Sequence, residues 1–435
     1  MLNKIISLLK NNKEISGFKL YEKHIESVEL FFIKKSLDMD RAKDVNHLIL
    51  TVYVDFIEGD TSYRGSSSSE IHPTMTEEEI LKTIKRLSFS ASFVKNPIYP
   101  LVAKGSVNPK IVISNLSEKP LNQWIPEITM AIYKEDVFDK GGINSAELFL
   151  NKIATRIVNS NGLDISYSNY NGTLEFITTW REESEEIELY KNIDFSSFAP
   201  NLISGEISSM INQCKDKAIA KPTPSLDKTP VLLTGTPVKE FFSYYYNQAV
   251  ASSVYNKIST LEVGHNAQGE NVVGDKLSIA LDPNLENSTF SIPFDEDGFP
   301  LSKIQLYKDG ILKRNFGSVR FSHYLNIEPT GDIYNTIISG GSKLKSELKQ
   351  KPYLELVAFS DFQMDSFTGD FAGEIRLGYY YDGHSTIPVT GGSLSGNIKK
   401  IHNNMYLSKE LQQDNNFVGP ETILLNNVSI SGCIQ

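Results

Sequence analysis

The sequence has few of the residues that usually bind metals. Its 435 residues include two cysteines, Cys214 and Cys433, and seven histidines. The cysteines are too far apart for a short-spaced pair, which excludes a disulfide framework and a cysteine-rich zinc site. No two histidines lie within five positions of each other, so no helix presents two imidazoles on adjacent turns. We therefore predict no metal site and no cofactor.

Long apolar runs and concentrated positive charge are also missing. No stretch approaches the roughly 20 apolar residues of a membrane helix. Residues 1–18 resemble an amphipathic helix with Ile5, Leu8 and Leu9 on one face more than a signal peptide, so we expect a cytoplasmic protein without membrane contact. The formal net charge is -10, and the 43 basic residues are scattered among 53 acidic ones. Since duplex binding needs a concentrated basic surface, we expect no direct nucleic-acid partner.

Catalytic signatures are missing as well, and no catalytic residue is assigned. There is no Gly-x-Ser-x-Gly elbow. The glycine-rich segments at 339–342 and 390–397 lack the Lys-Ser/Thr of a phosphate-binding loop and indicate tight turns. The run Asp295–Asp297, followed by Gly298, fits a paired-carboxylate site or a hairpin turn. We favour the turn.

The first half of the sequence has the patterns of an α/β domain with antiparallel strands. Residues 48–56 alternate between apolar and polar side chains, which predicts a half-buried strand. The serine run Ser66–Ser69 predicts a mobile loop. Thr76, with Glu79 three residues later, predicts a capping box at the start of a helix. A second helix is predicted at about 119–134.

Long β-ribbons are predicted for residues 146–191. They alternate in polarity and contain Asn161-Gly162 and Asn171-Gly172, and Asn-Gly is a strong hairpin signal. A helix is predicted at about 200–220. These elements define the predicted N-terminal domain, residues 1–220.

The composition changes at 221–230, where three prolines and no apolar periodicity predict a linker. After it, 231–235 predicts a buried strand, and Thr236-Pro237 predicts the start of a helix that runs to about 253. From 270 onward, short strands separated by turns such as 308–310 and 381–383 predict a mainly-β, barrel- or sandwich-like domain at 231–435. The predicted fold class is α+β.

Several short blocks, most of them in the second half, stand out along nearly the whole chain. The blocks are NSNGLDISY (159–167), FDEDGFP (294–300), LYKDGILKRN (306–315), TGDIYN (330–335), SFTGDFAGEIRLGYY (366–380), PVTGGSLSGNI (388–398) and NNVSISG (426–432). In their order and spacing they resemble the TldD/PmbA family, which has the older name modulator of DNA gyrase. Two departures from the family are Asp332, where it usually has Asn, and the weaker ALDP segment at 280–283.

The family contains two kinds of subunit, and the resemblance places this chain with the PmbA/TldE kind. TldD-type chains carry a His-Glu-x-x-x-His helix that, with a downstream cysteine, binds a catalytic zinc. The corresponding helix here, 238–257, has no histidine, and Val238, Phe241 and Tyr245 give it an ordinary buried stripe. Cys433 matches none of the family's ligands. The resemblance therefore implies a chain that is inactive alone.

Two functions follow from the resemblance and stay open. In the first, the chain is the non-catalytic subunit of a TldD-type metalloprotease that acts on unfolded or modified peptides, so its partner is a TldD-type zinc subunit. In the second, it is a free-standing homodimeric binding or scaffold protein without protease activity. The segment with Ser366, Thr368, Gly369 and Asp370 is the candidate lining of a peptide cleft, because glycine permits close backbone approach.

Overall fold

The computed structural model describes residues 2–105, 109–182, 185–226, 229–349 and 352–433. The helices are α1 Leu2–Lys10, α2 Glu77–Ala91, α3 Ile125–Tyr133, α4 Pro200–Ala218, α5 Thr236–Ala249, α6 Ala251–Tyr255, α7 Val319–Tyr324, α8 Lys345–Leu348 and α9 Ile398–Ile401. The strands are β1 Gly17–Ile33, β2 Ser36–Glu58, β3 Thr61–Glu70, β4 Gly141–Asn159, β5 Asp164–Arg181, β6 Glu186–Phe195, β7 Lys221–Pro222, β8 Val231–Thr234, β9 Ile279–Leu281, β10 Ile304–Lys308, β11 Ile311–Leu312, β12 Thr336–Ile338, β13 Tyr353–Met364, β14 Asp370–Tyr381, β15 Thr386–Thr390, β16 Ser393–Asn397, β17 Tyr406–Leu407, β18 Leu411–Asp414, β19 Phe417–Pro420, β20 Thr422–Leu425 and β21 Ser429–Ser431.

The N-terminal half is one antiparallel sheet in the order β3-β2-β1-β4-β5-β6. Its apolar residues alternate along the long strands, so one face is buried against helices. One cluster packs α1 and α2 onto β1 and β2 around Leu20 and Leu50. A second packs α3 and α4 onto β1, β4 and β5 around Leu30 and Leu148. The antiparallel arrangement predicted for this half is confirmed.

Local signals were accurate at the start of α2 and at the turn between β4 and β5. Thr76 Oγ1 accepts a hydrogen bond from the Glu79 amide at 3.3 Å, and Glu79 Oε2 accepts one from the Thr76 amide at 2.7 Å. This is the predicted capping box. Asn161-Gly162 forms the predicted turn between β4 and β5, with Gly162 at φ 82°. The second predicted helix begins later than expected, at Ile125, after a 3-10 turn over Leu121–Trp124.

A loop and a turn predicted from the sequence are wrong, because both segments lie within strands. Ser66–Ser69 form part of β3, where Ser66 pairs with Tyr53, because an edge strand tolerates polar side chains on both faces. Asn171-Gly172 lies inside β5, where Gly172 pairs with Leu150 on one side and Phe195 on the other. A Cβ at Gly172 would come within 2.2 Å of the Phe195 ring, so this glycine serves ring packing rather than a turn.

The C-terminal half contains two sheets that share one core with α5. The larger follows the path β17-β20-β8-β13-β14-β15-β7, and the smaller follows β11-β10-β9-β12-β19-β18. All four residues of β8 are buried, as are Phe241 and Tyr245 of α5. The predicted strand at 231–235 and the turn at 308–310 are confirmed. The predicted helix is interrupted at Val250, whose backbone is extended between α5 and α6.

The α+β class is confirmed, whereas the proposed domain boundaries stay a prediction. Within the predicted linker 221–230, Lys221–Pro222 form β7 and pair with β15, and residues 227–228 lie outside the described residues. No helix in the described part of the chain is long and apolar enough to cross a membrane.

Candidate functional site

A cleft of about 1310 Å³ lies between the two halves of the chain. One wall is the face of the sheet formed by β8, β13 and β14 that lies away from the α5 core. The opposite wall is formed by β6 and α4. The start of α5 and the strand β18 close the remaining side. The cleft thus draws its walls from segments far apart in sequence.

Helix α4 divides its residues between the core and the cleft. Ile203, Ile207 and Ile211 are buried in the N-terminal core. Another face of the helix lines the cleft, as expected for an amphipathic helix. The cleft-lining residues are Glu206, Ser209, Gln213 and Lys217, together with Leu202 and Met210, which also contact the core.

A buried carboxylate organises one end of the cleft. Glu355 of β13 is 6 % exposed and lies 3.5 Å from Lys345. It also contacts Lys349 and accepts a hydrogen bond of 3.0 Å from Thr234 Oγ1. Burial opposes the charge on Lys345, but its contacts with Glu421 and Glu355 outweigh burial and raise the pKa of Lys345. The charged side chains at this end of the cleft are therefore paired with one another.

Two cations at another point of the cleft lack such partners. Lys217 on α4 and Arg376 on β14 both line the cleft, and within the described residues neither belongs to an ion pair. Burial, together with the charge of Arg376, lowers the pKa of Lys217, and nearby Glu374 offsets part of this effect. The two elements are joined beside this pair by a 2.7 Å hydrogen bond from Tyr379 Oη to Asp216 Oδ2.

Strand β13 also offers an unpaired edge. Along its length it pairs with β14, but on the other side β8 pairs only with Leu354–Leu356. Beyond Leu356 no strand of the described residues occupies that side, and Val357–Ser360 line the cleft. An unpaired strand edge carries backbone donors and acceptors for another extended chain.

The residues proposed from sequence lie in a different place. Ser366, Thr368 and Gly369 form the hairpin turn between β13 and β14, with Gly369 at φ 81°, and Asp370 begins β14. None of the four is among the residues that line the cleft.

The hairpin turn is fixed by its own contacts. Asp365 Oδ1 accepts hydrogen bonds from the amides of Phe367 and Thr368 at 2.7 and 3.0 Å. The turn also meets the end of α5, where Asn247 Nδ2 donates to Ser366 Oγ at 2.9 Å. The role of these residues in peptide binding stays a proposal.

The donor set on α5 does not fit a zinc ion. Zinc in proteins is bound by imidazole, thiolate or carboxylate groups at fixed positions. Glu240 is the only such residue on α5, and no cluster of three His, Cys, Asp or Glu residues suited to a metal occurs in the described ranges. His402, whose Nδ1 lies 3.3 Å from Tyr245 Oη, is one imidazole, and burial lowers its pKa to about 4.

The acidic run at 295–297 is a turn, as favoured, and it contains a strongly perturbed acid. The Gly298 amide donates to the Asp295 carbonyl at 3.0 Å, and Gly298 has φ 83°. Asp295 is buried, and burial with the charge of Asp297 raises its pKa to about 7. Burial and Asp297 also raise the pKa of Asp332 to about 6. The three carboxylates lie together at the junction of the two halves, where Asp297 pairs with Lys19.

Comparisons with known proteins agree with the blocks seen in the sequence. Residues 226–432 match the family model of the PmbA/TldA metallopeptidase C-terminal domain. A metalloprotease PmbA homolog from Buchnera aphidicola is 23% identical, and the alignment covers 99% of this chain and 97% of the relative. Metalloprotease PmbA of Escherichia coli is 24% identical over 50% of each chain.

Solved structures share the whole fold. TldE from Thermococcus kodakarensis superposes with a TM-score of 0.77 at 14% identity, covering 99% of this chain and 100% of that one. A Thermotoga maritima protein described as a candidate modulator of a DNA gyrase superposes with a TM-score of 0.76 at 17% identity, covering 99% of both chains. At these identities the structural likeness establishes the fold alone.

Proposed function

The chain is a member of the TldD/PmbA family, whose C-terminal domain it carries at residues 226–432, and from this premise we propose that it is a non-catalytic subunit that holds extended peptides for a metal-bearing partner. The observation that carries the proposal is the cleft along the unpaired edge of β13. Main-chain hydrogen bonds to a strand edge bind extended peptides with little regard to sequence. Such binding suits unfolded or modified peptides.

The chemistry of peptide cleavage is assigned to the partner. A zinc protease needs ligands for the metal and a carboxylate as general base close to it. Among the described residues of this chain, α5 supplies one carboxylate, Glu240, and no imidazole. The chain is therefore proposed to bind and orient the peptide, with the partner providing the hydrolytic centre.

The surface proposed for the partner is the exposed arm, defined as β2 residues 36–47. The arm pairs with β1 on one side, whereas β3 pairs only with Ile49–Glu58. All twelve arm residues are exposed. Leu37 and Met39 are 52% and 46% exposed. The arm therefore presents an unpaired strand edge with exposed apolar side chains, and such an edge is a ready template for pairing with another chain.

Charge on the arm favours a different chain over a second copy. Asp40 and Asp44 share one face of the strand, and Asp38 lies at a register shift between β2 and β1. In a two-fold symmetric antiparallel pair centred on any residue from 40 to 44, either two aspartates or two basic residues stand directly opposite each other. Like charges in that position are destabilising. This supports a heterodimer with a TldD-type subunit over the alternative of a homodimeric scaffold.

The test is a reconstitution with an unstructured peptide or casein as substrate. This chain, a TldD-type subunit and their mixture are incubated separately, with and without a chelator. We expect no cleavage by this chain alone and chelator-sensitive cleavage by the mixture. Chelator-sensitive cleavage by this chain alone would contradict the proposal, and a chain that forms only homodimers in sedimentation experiments would favour the scaffold function.

A pair of matched variants tests the arm. Met39→Asp places a further charge on the arm and should weaken association with the partner at least about tenfold, since buried charge without a partner is costly. Ile57→Asp changes a residue of the same strand that is 74% exposed and lies outside the arm. This control should associate normally. Equal association of both variants would exclude the arm as the docking surface.

A further inference from the structure

We propose that the cleft recognises a carboxylate of its peptide ligand through Lys217 and Arg376. The inference rests on the proposed function and deepens it, because it names the chemical group that positions the peptide. Either the C-terminal carboxylate or an acidic side chain can supply this group.

The first argument is the pattern of ion pairs in the cleft. Each of the other cations that line the cleft has a carboxylate within 4 Å. Among the described residues, no carboxylate lies that close to Lys217 or Arg376. Their charges are therefore available to a ligand. The paired cations are Lys191 with Glu206 (3.4 Å), Lys239 with Asp414 (3.8 Å), Lys345 with Glu421 (2.5 Å) and Lys349 with Glu355 (2.5 Å).

The second argument is the proximity of the two charges. Lys217 and Arg376 line the same cleft. The 2.7 Å hydrogen bond from Tyr379 of β14 to Asp216 of α4 joins their two elements one residue from Lys217 and three residues from Arg376, so the fold brings two like charges together where the two walls meet. Asp216 already accepts the hydrogen bond from Tyr379, and Glu374, two residues before Arg376, forms no ion pair with either cation among the described residues. An anion placed between the two cations would relieve their repulsion.

The third argument is geometry. A guanidinium presents a planar fork of N–H donors that matches a carboxylate, and a neighbouring amine adds a further charged donor. Arg376 lies on β14 between Ile375 and Leu377, which pair with Phe359 and Ala358 of β13. The cationic pair is thus next to the segment of β13 whose other edge is unpaired. A peptide added to that edge would bring a carboxylate near the pair.

The experiment measures binding of a labelled, unstructured peptide of about ten residues by fluorescence anisotropy. The peptide is made of Ala, Ser, Thr, Val and Gln and has three forms: a free C-terminus, a C-terminal amide, and the amide with one internal Glu. Each form is titrated with the full chain, and with its complex where that forms. We expect the free acid to bind at least about tenfold tighter than the plain amide, as a charge-assisted contact implies. Recovery of binding by the Glu form would identify a side chain as a second source of the carboxylate.

Variants assign the preference to the pair. Lys217→Ala and Arg376→Ala should each reduce the acid-to-amide ratio to about two or less, whereas Arg376→Lys should keep part of it. The control is Lys85→Ala with Arg86→Ala, an exposed Lys-Arg pair on α2, which should leave the ratio unchanged. Thermal melting checks that each variant is folded.

The outcomes separate this inference from the proposed function. Equal affinity for acid and amide, or variants with an unchanged ratio, would overturn the carboxylate site while leaving the peptide cleft in place. Failure of every peptide form to bind, with the chain alone and in its complex, would overturn the proposed function and the inference with it.

Discussion

At the scale of single residues, Asp295 has the most strongly raised pKa of the carboxyl groups in the described part of the chain. Its Oδ1 accepts hydrogen bonds from the amides of Asp297 and Phe299 at 3.0 and 2.9 Å, which favours the ionised form. Burial and the carboxylates of Asp297 and Asp332 outweigh these bonds and raise its pKa to about 7. The phenols of Tyr167 and Tyr334 also face this charge.

The raised pKa makes stability depend on pH. At a pH below the ordinary pKa of an aspartate, Asp295 is protonated in both the folded and the unfolded state. Its contribution to the free energy of unfolding is then fully present. That contribution is lost as the pH rises from about 4 through about 7, because the folded state then has to carry a buried charge. We expect Asp295→Asn to raise the free energy of unfolding at pH 8, by on the order of 2 kcal/mol, and to have little effect at pH 4.

Urea unfolding at both pH values measures the change. Asp60→Asn, at an exposed turn, is the control and should behave as the native chain does. An Asp295→Asn variant with the same pH slope as the native chain would contradict this assignment.

At the scale of elements, sequence reasoning succeeded where the cause is local. The capping box at Thr76 and the Asn161-Gly162 turn depend on residues within four positions of each other, and both are present. Asn171-Gly172 carries the same dipeptide signal, but Phe195 on the next strand decides its conformation. A local sequence pattern does not indicate which residue of another strand will pack against it.

The residues of the candidate site in the cleft could not be found from local sequence patterns either. Lys217 and Arg376 stand in ordinary amphipathic patterns, and nothing near either in sequence indicates that they meet. The residues taken as candidates, Ser366–Asp370, were chosen for a glycine that the structure uses in a turn. The absence of two imidazoles on α5, in contrast, was visible directly in the sequence.

Because α5 offers one carboxylate and no imidazole, we predict that the chain binds no stoichiometric zinc. The purified chain should retain less than about a tenth of an equivalent of zinc after dialysis against a weak chelator, because one carboxylate does not make a tight site. Elemental analysis measures this, with a zinc protease of known stoichiometry treated in parallel. About one zinc per chain would contradict the prediction.

At the scale of the whole molecule, the two halves meet through charged, polar and apolar contacts. Arg320 Nη2 donates to Asn96 Oδ1 at 2.7 Å, and Tyr324 Oη donates to the Pro97 carbonyl at 2.8 Å. Ile157 and Leu163 form a small core at the junction, with Phe299 and Val319 packed against it.

The overall charge leads to a prediction about DNA. With a net charge of -10 and no concentrated basic surface in the sequence, duplex DNA should bind no tighter than about 10⁻⁶ M at physiological salt. A gel-shift titration at two salt concentrations measures this. Submicromolar binding that weakens steeply with salt would show a basic surface that the sequence does not reveal.

The position of β8 in its sheet has a consequence for synthesis on the ribosome. Strand β1 meets β2 directly after a short turn, so the N-terminal sheet can begin to assemble during elongation. Strand β8, residues 231–234, has β13 and β20 as neighbours, and β20 reaches residue 425. Closure of the C-terminal half therefore waits for translation of those last strands. The cleft is absent from the nascent chain, so the peptide binding proposed for it begins only after synthesis has passed that point.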